Sequence, residues 1–214
     1  MHKTKNDACK NVVAVADEPH HHLVVENEWI RVYAVEVGPH ENTLCHRHAL
    51  PYLMYVAGSA EIISAPRHGE ARKHHYVDTC CEFSPPGLEH AVENLADERF
   101  RNLIIEVLPA AEKLHRSGLP FAGAAGVRMS RLYSGETLCA QLIELSSGSQ
   151  TQVTGPAVVG SPYEDPVEFI SPQRGTRKLD DFQKLEYVPD GSTGLLRCEA
   201  GQPARVIVVT VGCE

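Results

Sequence analysis

Three histidines from two distant parts of the chain have the spacing expected of metal ligands. His46 and His48 are separated by one residue and precede an apolar run, so on a β-strand both imidazoles project from the same face. His90 follows a Pro-x-Gly turn at 85–87, which delivers it onto the next strand. Three neutral imidazoles leave coordination positions open, which is typical of catalytic metal sites. Nitrogen ligands suit Fe, Ni, Cu, Zn or Co, and the three residues alone do not choose among these metals.

Tyr52 and His40 are further candidates for catalytic roles near such a metal. Tyr52 could be a weak fourth ligand or a hydrogen-bond donor, although an aromatic residue in an apolar strand also packs well in a core. His40 lies in the loop before His46 and could act as an acid or base near neutral pH, or could be an ordinary solvated histidine. The contiguous histidine runs at 20–22 and 74–75 alternate between strand faces, and we interpret them as surface or strand-edge residues.

The elements that must position these residues are β-strands. Short runs rich in Val, Ile, Leu and Tyr lie between clusters of Gly, Pro, Ser and Asp, at intervals that suit a sandwich or barrel. The clearest predicted strands cover residues 29–37, 51–57, 60–64, 103–108, 138–145 and 205–211. Modest helical character is confined to residues 109–114, and the Gly and Pro residues of 118–126 predict a connector.

The two halves of the chain repeat one short pattern. Each half contains the same features in the same order: an acidic residue, an aromatic residue, a proline, a glycine, a polar loop and an aliphatic strand. Pro85 and Gly87 in the first half correspond to Pro189 and Gly191 in the second, each 104 residues later. A duplicated β-domain explains this constant offset better than a chance likeness of two turns.

Composition argues against several classes of function. The 214-residue chain has a net charge of −8, which disfavours nucleic acid or an anionic membrane surface as a partner. No apolar stretch approaches the length of a membrane span, and no secretion signal is recognisable at the start. The seven cysteines are odd in number and form no Cys-x-x-Cys pair, so we expect reduced thiols in a cytoplasmic protein, without disulfides or a zinc knuckle.

Taken together, the histidine motifs resemble those of the cupin superfamily. The cupin pattern Pro-x-Gly-x-x-His-x-x-x-Asn is matched in full by Pro85, Gly87, His90 and Asn94. The cupin His-x-His motif, with its later turn glycine, is matched by His46, His48 and Gly58. The resemblance implies an all-β fold: two double-stranded β-helix (jelly-roll) barrels in tandem, over residues 20–112 and 124–214, with a metal inside the first.

The chain also departs from the cupin pattern in both halves. Tyr52 stands where cupins usually carry a glutamate ligand. In the second copy, Gly194 takes the place of His90, and residues 154–156 take that of the His-x-His motif. The second barrel is therefore expected to be degenerate, to lack metal ligands, and either to brace the first barrel or to close a shared sheet.

Among cupins, an all-histidine site resembles enzymes that use Fe(II) and O2 to oxidise small chelating substrates. The resemblance implies a non-heme Fe(II) dioxygenase with a divalent metal at the three histidines. Two alternatives remain open: an oxygen-independent isomerase, lyase or hydrolase that uses Zn, Ni or Mn, and a non-enzymatic small-molecule-binding barrel. We expect a small-molecule substrate as partner, no nucleic acid and no membrane, and a chain that is a monomer or a homodimer.

Overall fold

β-Branched and aromatic residues are frequent along the whole chain, and they favour strands over helices. The computed structural model describes residues 9, 11–114, 124–199 and 201–212. Nineteen β-strands and two short 3₁₀ turns account for the regular structure of these ranges, so the all-β prediction is confirmed.

The weak helical signal at 109–114 corresponds to a single 3₁₀ turn, Pro109–Lys113. Most of the predicted connector, residues 118–123, lies outside the described residues. Neither of the two helical turns in the described ranges has the length and apolar character of a membrane span.

Ten strands form two five-stranded sheets in the first half of the chain. They are β1 (Val13–Ala14), β2 (His21–Glu26), β3 (Ile30–Val37), β4 (His46–His48), β5 (Tyr52–Ala57), β6 (Ala60–Pro66), β7 (Arg72–Tyr76), β8 (Cys81–Ser84), β9 (Leu88–Asn94) and β10 (Phe100–Val107). One sheet has the order β1-β4-β9-β6-β7 and the other the order β2-β3-β10-β5-β8. Neighbours are antiparallel except for β1 and β4, which are parallel.

Nine strands form a five-stranded and a four-stranded sheet in the second half. They are β11 (Val127–Ser134), β12 (Leu138–Leu145), β13 (Gln150–Thr154), β14 (Ala157–Gly160), β15 (Val167–Ser171), β16 (Gly175–Lys178), β17 (Leu185–Val188), β18 (Thr193–Cys198) and β19 (Ala204–Val211). The orders are β11-β12-β19-β14-β17 and β13-β18-β15-β16.

The two halves have the same topology. Strands β2 to β10 correspond one by one to β11 to β19, and the order of each sheet in the first half is repeated in the second; only β1 has no counterpart. In each half the longest ladder joins two eight-residue strands, β3 with β10 and β12 with β19. The predicted duplication is therefore confirmed, and the six predicted strands agree with the observed ones to within three residues.

The described residues divide into two compact units. One contains the described residues up to Val107 except 27–29, and the other contains 27–29 and the described residues from Leu108 onward. Each unit has its own core of aliphatic and aromatic side chains. The first unit includes the described residues before position 20, because β1 pairs with β4.

A disulfide joins Cys9 to Cys45, so the expectation that all the cysteines are reduced thiols was wrong. Cys45 adjoins His46 on β4 and therefore faces away from the imidazoles. The segment that contains β1 runs beside β4 in the same sheet, and its Val13 N–H donates to the Cys45 carbonyl at 3.0 Å. The number and spacing of cysteines do not show that the start of the chain folds back against β4. A cytoplasmic location stays a prediction.

Asn94 of the matched cupin motif is a structural residue of the first unit. It is fully buried, and its amide nitrogen lies 3.1 Å from the Val37 carbonyl, 3.0 Å from that of Gly38 and 2.7 Å from that of Glu98. Its Oδ1 accepts the Ala96 N–H at 3.1 Å. The side chain thus ties the end of β3 to the turn that precedes β10.

We expect Asn94→Ala to lower the free energy of unfolding by about 2–4 kcal/mol, because it leaves several buried backbone groups without partners. Urea unfolding followed by circular dichroism measures this effect. Glu98→Ala is the matched control, since it removes an exposed side chain and keeps the backbone carbonyl that Asn94 binds. Equal stability of the two variants would show that Asn94 does not hold the turn.

Candidate metal centre

Strand β4 places two imidazoles side by side. His46 and His48 are each only 1% exposed, whereas Arg47 between them faces solvent. The Nε2 atoms of the two histidines are 3.2 Å apart. Residues separated by one position on a β-strand project from the same face, which accounts for the closeness of the two rings.

Strand β9 carries His90 to the same point. The turn before β9 contains Gly87, whose φ of +100° is a conformation that favours glycine, and its N–H donates to the His48 carbonyl at 2.7 Å. In the ladder between β4 and β9, His90 lies directly opposite His46. Its Nε2 is 3.3 Å from that of His48. The structure therefore brings together the three histidines that the sequence analysis selected.

The outer ring nitrogens show which atoms face the centre of this group. Nδ1 of His46 lies 2.9 Å from the Leu44 carbonyl oxygen, which can only accept, so Nδ1 carries the proton and Nε2 presents its lone pair. Nδ1 of His90 lies 2.9 Å from the Ser64 hydroxyl. Nδ1 of His48 is buried and has no hydrogen-bond partner among the described residues.

Burial keeps the three imidazoles neutral. Burial, reinforced by the neighbouring His21, lowers the pKa of His46 to about 4. Burial and the adjacent imidazoles likewise lower the pKa of His48 to about 2 and that of His90 to about 3. Near neutral pH these side chains are uncharged, which is the state in which an imidazole binds a metal.

The distances between the nitrogens fit ligands of one metal ion. An imidazole nitrogen lies about 2.0–2.1 Å from a bound Zn²⁺, which places two such ligands of one ion about 2.9–3.4 Å apart. The observed Nε2–Nε2 distances of 3.2 and 3.3 Å fall within this interval. The site therefore suits a divalent ion that accepts nitrogen ligands.

A fourth histidine, His21, lies beside this group. It is the first residue of β2 and is 8% exposed, with its ring centroid 4.6 Å from that of His46 and 6.0 Å from that of His48. His21, His46 and His48 each offer a ligand atom within 4.8 Å of the others, so they could hold a metal ion. The run 20–22 was interpreted as surface or strand-edge residues; His21 does begin an edge strand, but it is buried and not a surface residue. Alternation along a strand could have shown that one member faces inward when its neighbour His22 faces out.

Glu18 anchors His21 from outside the cluster. Its carboxylate is 1% exposed, and Oε2 lies 2.6 Å from Nδ1 of His21. It also accepts the backbone N–H groups of His20 at 2.9 Å and Leu44 at 3.1 Å, and Nδ1 of His20 lies 3.0 Å from Oε1. Burial alone would raise the pKa of Glu18, but the hydrogen bonds from His21 and His20 lower it to about 2. The residue is therefore an ionised carboxylate.

The histidines line a cavity of about 180 Å³ inside the first unit. Much of its wall is apolar: Val35, Val37, Met54, Ile62, Leu88, Val92, Phe100 and Ile104. Polar side chains also reach it: Thr43, Ser64, His74, Tyr76, Glu82, Ser84 and Asn102. A small organic molecule with one or two polar groups suits this lining.

At the level of sequence, no protein-family model matches the chain and no curated protein does. Solved structures match it over most of its length. The salicylate 1,2-dioxygenase of Pseudaminobacter salicylatoxidans is 14% identical over 85% of this chain and 70% of its own, with a TM-score of 0.57. A cupin 2 conserved barrel domain protein of Leptotrichia buccalis is 9% identical over 95% of this chain and 99% of its own, with a TM-score of 0.56. The chain therefore shares the fold of these two proteins.

Tyr52, a candidate of the sequence analysis, lies in the cavity wall. It is 4% exposed, and its ring stacks on that of His48, with centroids 4.3 Å apart and an angle of 29° between the planes. Burial raises its pKa, although the hydrogen bond with Ser84 opposes the shift, so the side chain remains a phenol. Tyr52 therefore combines packing with a polar group close to the histidines.

His40 is not brought to the cavity. Its side chain is 64% exposed, Nε2 lies 2.9 Å from Oδ1 of Asp97, and it is not among the described residues that line the cavity. The turn in which it lies directs it into solvent, as the alternative interpretation of a solvated loop histidine allowed.

In the second unit, a phenylalanine fills the place that corresponds to the histidines. A side chain at Gly194, the counterpart of His90, would overlap the ring of Phe169 on β15. The ladder places Val153 opposite Gly194, as His46 lies opposite His90, so the match to residues 154–156 was wrong by one position. Phe169 belongs to the hydrophobic core of the second unit, with Val153, Val167 and Leu196.

Proposed function

We propose that the first cupin barrel binds a divalent metal through His46, His48 and His90, and that with Fe(II) it is a dioxygenase for a small chelating organic anion. The observation that supports this proposal is the convergence of three neutral imidazoles on the wall of a cavity, with Nε2 of His48 lying 3.2 Å from that of His46 and 3.3 Å from that of His90. When bound, such a metal supplies a Lewis acid and an electron donor. The salicylate dioxygenase that shares the fold, also solved as adducts with gentisate, supports a hydroxylated aromatic acid as the substrate class.

The chain itself holds the ligands in place. The Leu44 carbonyl fixes the tautomer of His46, and the Ser64 hydroxyl orients His90. Tyr52 packs against the face of His48 and restricts its rotation. These contacts orient the three imidazoles before any ligand binds, which reduces the ordering that binding requires.

An anionic substrate follows from the charge of the ligand set. None of the three proposed ligands is charged near neutral pH, so a bound divalent ion keeps its full positive charge inside a largely apolar cavity. A carboxylate or enolate that chelates the ion would neutralise this charge where water is scarce. Tyr52 and Asn102 line the cavity, and their polar groups would help to orient such a substrate.

Oxygen consumption tests the proposal. Protein loaded anaerobically with Fe(II) is mixed with salicylate, gentisate, other dihydroxybenzoates, β-diketones and small thiols in an oxygen-electrode cell. We expect substrate-dependent oxygen uptake for at least one aromatic acid, and none with the zinc-loaded protein, because Zn²⁺ has no redox chemistry. Absence of uptake across this panel with iron-replete protein would contradict the dioxygenase assignment.

A further inference from the structure

His21 has the environment of a metal ligand rather than that of a packed core histidine. Its ring is almost fully buried beside the His46 ring, and a ligand atom of each of His21, His46 and His48 lies within 4.8 Å of the other two. His46 and His48 also belong to the triad with His90. Two sets of three histidines therefore share the pair on β4.

Glu18 fixes which nitrogen of His21 is free. The contact of 2.6 Å between Oε2 of Glu18 and Nδ1 of His21 places an N–H on Nδ1, which donates to the carboxylate oxygen. Nε2 is then the ring nitrogen that remains available to a metal. A carboxylate that binds the outer nitrogen of a metal-ligating histidine in this way is a recurrent feature of metal sites, where it orients the ring and raises its basicity.

The position of Glu18 is itself set by several contacts. Its carboxylate accepts hydrogen bonds from the backbone of His20 and Leu44 as well as from His21. Leu44 also supplies the carbonyl that binds Nδ1 of His46. Glu18 therefore contacts the site directly through His21, and also through Leu44, which orients His46.

The geometry points to His21 as a fourth metal ligand, with Glu18 as the carboxylate that positions its ring. The inference rests on the proposed metal centre of the first barrel. Four imidazole nitrogens favour Cu, Ni, Zn, Co or Fe over the oxygen-seeking Mg and Ca, and a six-coordinate ion would keep two positions for a chelating substrate.

Metal affinity and the spectrum of a bound ion test this inference without reference to activity. Affinity for Zn²⁺ is measured by competition with a chelating dye, and electron paramagnetic resonance is recorded on protein loaded with Cu²⁺. We expect His21→Ala to weaken Zn²⁺ binding by about 10- to 100-fold and to alter the Cu²⁺ hyperfine coupling. Glu18→Gln should weaken binding by about 10-fold, since the imidazole loses its charged partner. His22→Ala, on the exposed face of β2, is the matched control and should bind like the unmodified protein.

His21→Gln serves as a second variant, because it keeps a side chain of similar reach should alanine disturb the buried site. It is expected to show the same loss of affinity and the same change of spectrum. The inference would be overturned if both His21 variants bound Zn²⁺ with the affinity of the unmodified protein and gave the same Cu²⁺ spectrum. If the His21 variants bind Zn²⁺ normally but His48→Ala abolishes Zn²⁺ binding, the inference about His21 fails and the proposed three-histidine site is still supported. If the unmodified protein binds neither ion, the proposed function itself fails.

Discussion

His48→Ala is expected to weaken binding of a divalent transition metal by at least about a hundredfold and to abolish any oxygen uptake that the iron-loaded protein shows. His48 lies between the other two proposed ligands, with its Nε2 3.2 Å from that of His46 and 3.3 Å from that of His90. Four-ligand zinc sites in small peptides provide about 10–16 kcal/mol, so one ligand accounts for roughly 3 kcal/mol. Metal content after dialysis and affinity by dye competition measure the loss.

His75→Ala is the matched control for His48→Ala. His75 is exposed on β7 and lies 3.2 Å from the Glu61 carboxylate, away from the cluster. This variant should keep the metal content of the unmodified protein. If His48→Ala and His75→Ala bound metal equally well, the convergence of imidazoles would have no role in metal binding.

Phe169→Ala is expected to lower the free energy of unfolding of the second barrel by about 3–5 kcal/mol, because it empties a large volume in a well-packed core. Phe169 is 2% exposed, and its ring lies against Gly194 in the interior of the second barrel. Gly194 is the counterpart of His90 in the first barrel. Chemical denaturation monitored by circular dichroism measures the destabilisation. The metal affinity of the first barrel should be unchanged in the folded variant.

The control for Phe169→Ala is Phe83→Ala, which removes the same side chain from a position that is 43% exposed. We expect this substitution to cost less than about 1.5 kcal/mol, because much of the ring is already in water. Similar losses in the two variants would mean that Phe169 does not support the second core. A gain of metal binding by Phe169→Ala would contradict the view that the missing ligands leave this barrel without a site.

The strands and the duplication were readable from the sequence because they depend on local composition and on a repeated turn. Runs such as β12 are strongly apolar and bounded by turn residues, and their ends were predicted to within three residues. The Pro-x-Gly turn at Gly87 and its counterpart at Gly191 marked the repeat, and both glycines have positive φ angles. The match of residues 154–156 to His46–His48 was wrong by one position, since loop lengths differ between the copies and only the ladder fixes the register.

The site was predictable only where the spacing of residues within one motif fixes the side of the strand from which their side chains project. His46 and His48 share a face by spacing alone, and the turn before β9 accounts for His90. The part played by His21 depends on the position of β2 in the neighbouring sheet and on Glu18, and neither is encoded by a local pattern. The Cys9–Cys45 disulfide escaped prediction for the same reason, because it joins residues that only the folded N-terminal segment brings together.

X-ray absorption at the metal edge tests the central claim most directly. Protein purified and then loaded with Zn²⁺ or Fe(II) is predicted to hold one ion per chain, with the scattering pattern of several imidazole rings in its inner coordination sphere. Retention of no ion, or of an ion surrounded by oxygen or sulfur without imidazole, would contradict the assignment of His46, His48 and His90 as its ligands.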